Sequence, residues 1–295
     1  MTLPLYVWLP LLSGLAFAIS SMLLKQSGKD GVDVWRMLVI STWIGAAICW
    51  TLPAFGGGQW RWDVWYQPVI VACVFLMGQV LTLVAFERGD VSVAVPLLGT
   101  KVLFVALLVV WVLGETVPLM WWLAAGLAMA GTFAVSRQGG GHRGRAGTGA
   151  LAAVVSALLF AVADVLVQSW AKGWGFTRFF PVMFTASSLL TLLFVPRFPP
   201  SRVRWSGGLW CRLGVGSALM SLQGLGVVYT LTTVGQATAA NVAYNTRGIW
   251  SVLLVWIVGH WFGNTERDAG RSVMVARLVG AALLLAAVVL VVVGG

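Results

Sequence analysis

Charge is what this chain has least of. Asp, Glu, Lys and Arg make up only 9% of its 295 residues, against roughly a quarter in soluble domains. A water-facing coat for a globule of this length cannot be built from so few. Acids are scarcest, at 9 Asp and Glu against 19 Lys and Arg. The 2 histidines, His142 and His260, both fall near predicted interfaces, and no carboxylates cluster. Nothing therefore assembles a metal site or a general acid and base pair, and no catalytic residue, metal ligand or cofactor is expected. Cys49, Cys73 and Cys211 are odd in number and lack metal-ligand or redox spacing, which predicts free thiols. The first apolar run has no basic leader and no small-residue cleavage site, so it reads as structure rather than as a signal peptide. A glycine-rich stretch at 138–149 has no strand before it and no Gly-Lys-Ser/Thr after it, which excludes a phosphate loop.

Apolar length is what the chain has in excess. It is 59% hydrophobic, with a mean hydropathy of +0.91. Runs of about 20 apolar residues are long enough to cross a hydrocarbon core about 30 Å thick. Ten such runs are predicted, at 3–24, 32–52, 64–86, 91–113, 117–135, 149–171, 176–195, 209–233, 237–259 and 272–293. The fold expected is an all-α integral membrane protein of ten transmembrane helices. Its net charge of +10 does not point to nucleic acid, because the cations flank helices instead of forming a soluble basic domain. Trp60, Trp62, Trp65, Trp121, Trp122, Trp205 and Trp210 fall at predicted helix ends, where amphipathic rings favour the headgroup layer.

Two cations break the apolar pattern. Lys101 follows Thr100 in the fourth span, and Arg247 follows Thr246 in the ninth, 146 residues later. Each stands ten residues after the first apolar residue of its span, Val91 or Ala237, which at about 1.5 Å per residue is roughly 15 Å deep, near the membrane midplane. Neither side chain snorkels easily from that depth, so both are candidates for function. A second match joins the first and sixth spans, in ungapped register at an offset of 143 between Ser13 and Ser156. Phe17 aligns with Phe160, Ser21 with Asp164 and Lys25 with Gln168. Ser156, Phe160, Asp164 and Gln168 recur every fourth residue and so form one stripe on a helix. Structural readings stand beside these: Lys101 and Arg247 would hold the bundle together through Asp164 or carbonyls, and the serines would pack helices. Thr100, Thr246, Tyr244, Asn241, Asn245, Gln79 and Gln223 complete the candidate substrate-binding set. Pro96 reads as a tolerated kink, and Glu115, His260, Glu87, Arg88 and Asp90 as ordinary groups at helix ends and turns.

The halves divide as 1–137 and 149–295, each with five spans, joined by a Gly/Arg linker at 138–148. An odd span count inverts the second half relative to the first, the plan of many carriers that bind substrate near the midplane between repeats. The stretch AFERGDVSVAVPLLGTKVLFVALLVVWVLGE, ending at Glu115, resembles the hallmark of the drug/metabolite transporter superfamily, EamA-type. The second copy departs from it, with Gly259-His260 where the family has Gly-Glu, and the tryptophan-rich first helix is missing at Phe17 and Ala18. The resemblance implies a ten-helix bundle around a central cavity. Phosphate-translocating relatives use cations on the corresponding helices, so it also implies anion binding at Lys101 and Arg247.

The expected function is secondary active transport of a small organic anion, or of a phosphorylated or zwitterionic metabolite, by alternating access in a cell membrane, with a bacterial inner membrane favoured. The expected partners are the lipid bilayer and a small-molecule substrate, with protons coupled through Asp164, the one carboxylate placed deep in a span. The alternatives are a flippase for an anionic lipid head group and a non-transport membrane enzyme or assembly factor. Fourteen loop-side cations fall on one membrane face against three, Arg61, Lys172 and Arg178, on the other. That bias places both termini outside the cytoplasm, whereas the family resemblance implies cytoplasmic termini. Oligomeric state leaves no sequence signal.

Overall fold

The structure, a computed structural model, describes residues 4–88, 91–135, 146–199, 203–258 and 271–294. His142, His260, Asp90 and linker residues 138–145 lie outside them. The described chain is helical, with no strand. Its elements are α1 (Leu5–Lys29), α2 (Val34–Cys49), α3 (Tyr66–Arg88), α4 (Val91–Gly99), α5 (Lys101–Leu113), α6 (Leu119–Val135), α7 (Ala146–Trp174), α8 (Phe176–Thr191), α9 (Gly207–Thr233), α10 (Ala237–Tyr244), α11 (Arg247–Val258) and α12 (Arg271–Val293). Among the described residues, 8 segments are long and apolar enough to cross a membrane, with α4 and α5 together forming one of them. Helix α6 falls short at 17 residues, and α10 and α11 are separated by Asn245 and Thr246. The chain is thus a multi-pass membrane protein whose fourth and ninth runs are broken rather than continuous. Helix α7 also starts at Ala146, inside the stretch expected to be linker, because small residues and the apolar run after them continue its turns.

Both breaks follow one local rule. Thr100 Oγ1 donates to the Leu97 carbonyl at 2.6 Å, and Thr246 Oγ1 donates to the Ala243 carbonyl at 2.7 Å. The backbone tightens with them, Thr100 N bonding Leu97 O and Thr246 N bonding Ala243 O. A hydroxyl that takes the carbonyl three residues back competes with the regular ladder, and three-residue bonds at mid-span mark a bent or hinged helix. Helix α4 runs through Pro96 and stops three residues beyond it.

Small residues set the packing between the halves. Helix α1 lies along α9, α7 along α3, α2 against α8 and α6 against α12. Ser13 fills the space beside Gly226 on α9, and Ser156 donates to the Gly78 carbonyl on α3 at 2.7 Å. Gly131 and Gly280 bring α6 and α12 so close that a Cβ on Gly280 would stand 2.7 Å from the Gly131 carbonyl oxygen. With lipid on the outside, such close backbone approach and hydrogen bonding replace the hydrophobic drive of soluble cores. At and beyond the span ends, Trp60 stacks on Trp62 at 5.6 Å and Trp205 on Trp210 at 4.7 Å, and the hydrogen-bonded Arg61 guanidinium holds the exposed Asp63 carboxyl below its usual range. Trp121, expected at the headgroup layer, is buried against Tyr6, because α12 and the N-terminal turn of α1 cover its end of α6.

Candidate substrate site

Five helical elements, α1, α5, α7, α10 and α11, meet at the breaks in the fourth and ninth spans. Lys101 opens α5, and its Nζ lies 2.7 Å from Asp164 Oδ2 on α7 and 5.9 Å from the centre of the Phe160 ring. The same carboxylate oxygen accepts the Asn241 amide of α10 at 2.7 Å, and Asn241 also donates to the Ala237 carbonyl at 3.0 Å. A carboxylate left alone at this depth would be costly, and one oxygen that receives both a cation and an amide is well compensated.

Arg247 opens α11 and sits among aromatic faces. Its guanidinium carbon is 4.9 Å from the Phe17 ring centre and 4.7 Å from that of Tyr244, and those two rings meet edge to face at 6.2 Å. Gly14 admits the Arg247 backbone to α1, since a Cβ there would stand 3.2 Å from Arg247 N. Cation–π contact with desolvated rings is worth roughly 2 kcal/mol, far less than a full counter-charge supplies. Among the described residues no carboxylate pairs with Arg247. Close along the chain, Asn245 Nδ2 and Trp250 Nε1 are buried and lack an acceptor, which is uncommon for buried donors.

The remaining candidates divide. Thr100 and Thr246 are occupied by the helix breaks. Ser21 is half-buried on α1, while its neighbour Ser20 bonds the Gly216 carbonyl at 2.7 Å. Gln223 donates to Met220 O within its own helix at 2.9 Å, and Gln79 is half-buried on α3. No described hydrogen bond joins either glutamine to Lys101, Asp164 or Arg247.

The α7 stripe continues toward the C-terminal end of the helix. One turn past Asp164, the buried Gln168 donates to Glu115 Oε2 at 2.9 Å and accepts from the Ala237 amide at 3.0 Å. Glu115 was expected to be an ordinary interfacial charge; instead it ties the end of the fourth span to the start of the ninth through Gln168. A cavity of about 590 Å³ opens there, lined by Glu115, Lys172, Gln236 and Thr238 among others. The cavity leaves Lys101, Asp164 and Arg247 out of its lining, so the ion-pair layer lies deeper than this opening.

Comparisons bear on fold and family separately. A solved crystal structure, described only as "Crystal structure of protein", superposes with a TM-score of 0.77 at 17% identity, covering 97% of this chain and 96% of its own. At that identity the likeness speaks for the fold alone. No curated protein matches the sequence. The profile of the EamA-like transporter family matches residues 4–137. Members of that family are transporters rather than enzymes. Residues 4–137 thus match the EamA-like transporter family of the drug/metabolite transporter superfamily, and that likeness suggests a membrane transporter of that type.

Proposed function

We propose that the protein is a secondary active carrier of small organic anions, built as two inverted five-span repeats and working by alternating access around the layer of Lys101, Asp164, Asn241 and Arg247. The reciprocal pairing of α1 with α9 and of α7 with α3, together with matching helix breaks at Thr100 and Thr246, supports the inverted repeat. Broken helices at the midplane are where carriers of that plan bind substrate.

One observation carries the substrate charge. Lys101 is neutralised by Asp164 at 2.7 Å, whereas Arg247 stands at the start of α11 with no carboxylate partner among the described residues. The helix N-terminus adds a partial positive charge to the same place. Lys101, Asp164 and Arg247 sum to +1, and burying that charge unpaired is unfavourable by several kcal/mol. An anionic substrate relieves it, and the guanidinium fork gives such a group two parallel hydrogen bonds. The test is uptake into proteoliposomes, scored against a panel of organic anions, phosphates, amino acids and cations, with Arg247→Gln beside the wild type. Anions should be transported by the wild type and lost in the variant. Selective transport of simple cations, or full anion transport by Arg247→Gln, would overturn the reading.

A further inference from the structure

The two cations occupy equivalent places, but among the described residues only Lys101 is paired with a carboxylate. Phe17 and Ser21 on α1 correspond to Phe160 and Asp164 on α7 in ungapped register, and Lys101 corresponds to Arg247. Helix α5 packs on α7, as α11 packs on α1. Each cation lies over the phenylalanine of the opposite half, Lys101 over Phe160 and Arg247 over Phe17. One turn beyond Phe160 stands Asp164, whose carboxylate takes the lysine and an amide N–H. One turn beyond Phe17 stands Ser21, half-buried and with a neutral hydroxyl where α7 has a carboxylate. What the Lys101 half-site holds, a carboxylate with a cation and an amide on it, is what the Arg247 half-site lacks. It does have donors, Arg247 itself and, on the same stretch of chain, the unpartnered amide of Asn245 and indole N–H of Trp250, whose ring edge approaches Gly14 on α1.

We propose that the Arg247 half-site is a receptor for an organic monocarboxylate, and that Asp164 in the Lys101 half-site is the chain's own built-in copy of that ligand. The proposal rests on the reading of the protein as an anion carrier and narrows it. Charge decides between carboxylate and phosphate. The layer sums to +1, so a monoanion brings it to zero, while a phosphate dianion leaves −1 buried near the midplane, where uncompensated charge is most costly. The aromatic faces of Phe17 and Tyr244 flank the guanidinium and fit a carboxylate attached to an apolar or aromatic body.

The experiment supplies the missing carboxylate. In purified protein, Ser21→Asp should raise the melting temperature by neutralising Arg247, Ser21→Asn should not, and neither should do so in an Arg247→Gln background. Binding is read by calorimetry with benzoate, phenyl phosphate and benzylamine as probes. The wild type should prefer benzoate, and Ser21→Asp should weaken benzoate by about tenfold or more beyond any effect of the neutral Ser21→Asn, through competition for one charge. Ser21→Glu, one methylene longer, serves the same purpose where the shorter acid does not reach. If both acids destabilise the protein in either Arg247 background while Ser21→Asn folds normally, the half-site does not accept a carboxylate and the proposal fails. Preference for phenyl phosphate, or unchanged benzoate binding in a stabilised Ser21→Asp, also overturns it while leaving the anion carrier standing. Binding of benzylamine alone, with neither anion, overturns both.

Discussion

The Lys101–Asp164 contact is the interaction on which the midplane layer most depends, and a charge-removal cycle measures it. At 2.7 Å, with an effective dielectric of about 20, the attraction is roughly 6 kcal/mol before the desolvation of both ions is set against it. The two side chains are only 19% and 11% exposed, so solvent screening does not reduce the pair to the near-zero worth of a surface bridge. Removing one partner strands the other, which for a buried pair costs about 3 to 5 kcal/mol. Asp164→Asn keeps an acceptor for Asn241 but leaves Lys101 charged; Lys101→Gln leaves Asp164 with one amide. At about 2 °C per kcal/mol for a chain of this size, each single variant should melt about 6 to 10 °C lower. The double variant, with two neutral amides facing each other, should melt closer to wild type than either single one. The assay is intrinsic tryptophan fluorescence during heating of the detergent-solubilised protein. If the double variant loses the sum of the two single losses, the groups act independently and the pair is not the stabilising element.

Three further outcomes are expected. Asp164→Asn should keep anion binding but lose dependence of transport on a pH gradient, because the variant cannot exchange a proton; unchanged pH dependence in vesicle uptake would remove Asp164 from coupling. Gly78→Val should destabilise by about 1 to 3 kcal/mol through overpacking, since a Cβ there already stands 3.0 Å from the Phe160 ring; thermal melting at the wild-type temperature would show that α3 and α7 can separate freely. A C-terminal reporter that is active only in the cytoplasm should be silent, as the fourteen-to-three charge bias places both termini outside; an active reporter would show that the orientation implied by the family prevails.

Most of the span positions could be read from apolar length, and Lys101, Arg247 and Asp164 from the cost of charge at depth. The ungapped match of Phe17 with Phe160 anticipated the two aromatic faces on which the cations lie. What pattern could not supply was pairing. Asp164 is compatible in sequence with either cation, and only the packing of α5 on α7 assigns it to Lys101. The helix breaks were hidden for a different reason. Threonine in an apolar run looks like a tolerated polar residue, and its hydroxyl reveals itself as a breaker only once it bonds a carbonyl three residues back. Gln168 and Glu115 were each visible, but 53 positions separate them, and no periodicity spans that distance. Trp121 misled because the interfacial preference of tryptophan says nothing about which face of the helix a neighbour covers.

The broadest packings, α1 on α9, α3 on α7 and α6 on α12, all run between the halves of the chain rather than within one. Each half is therefore less a domain than one side of a zip. Cut between residues 137 and 146, the two fragments would each keep their apolar spans and remain in the bilayer, yet their serine and glycine seams would face lipid until they met. The covalent connection contributes effective concentration, turning an encounter between two membrane-embedded pieces into a closure within one molecule. Assembly of separately expressed halves would consequently follow their surface density in the membrane, and the intact chain would not.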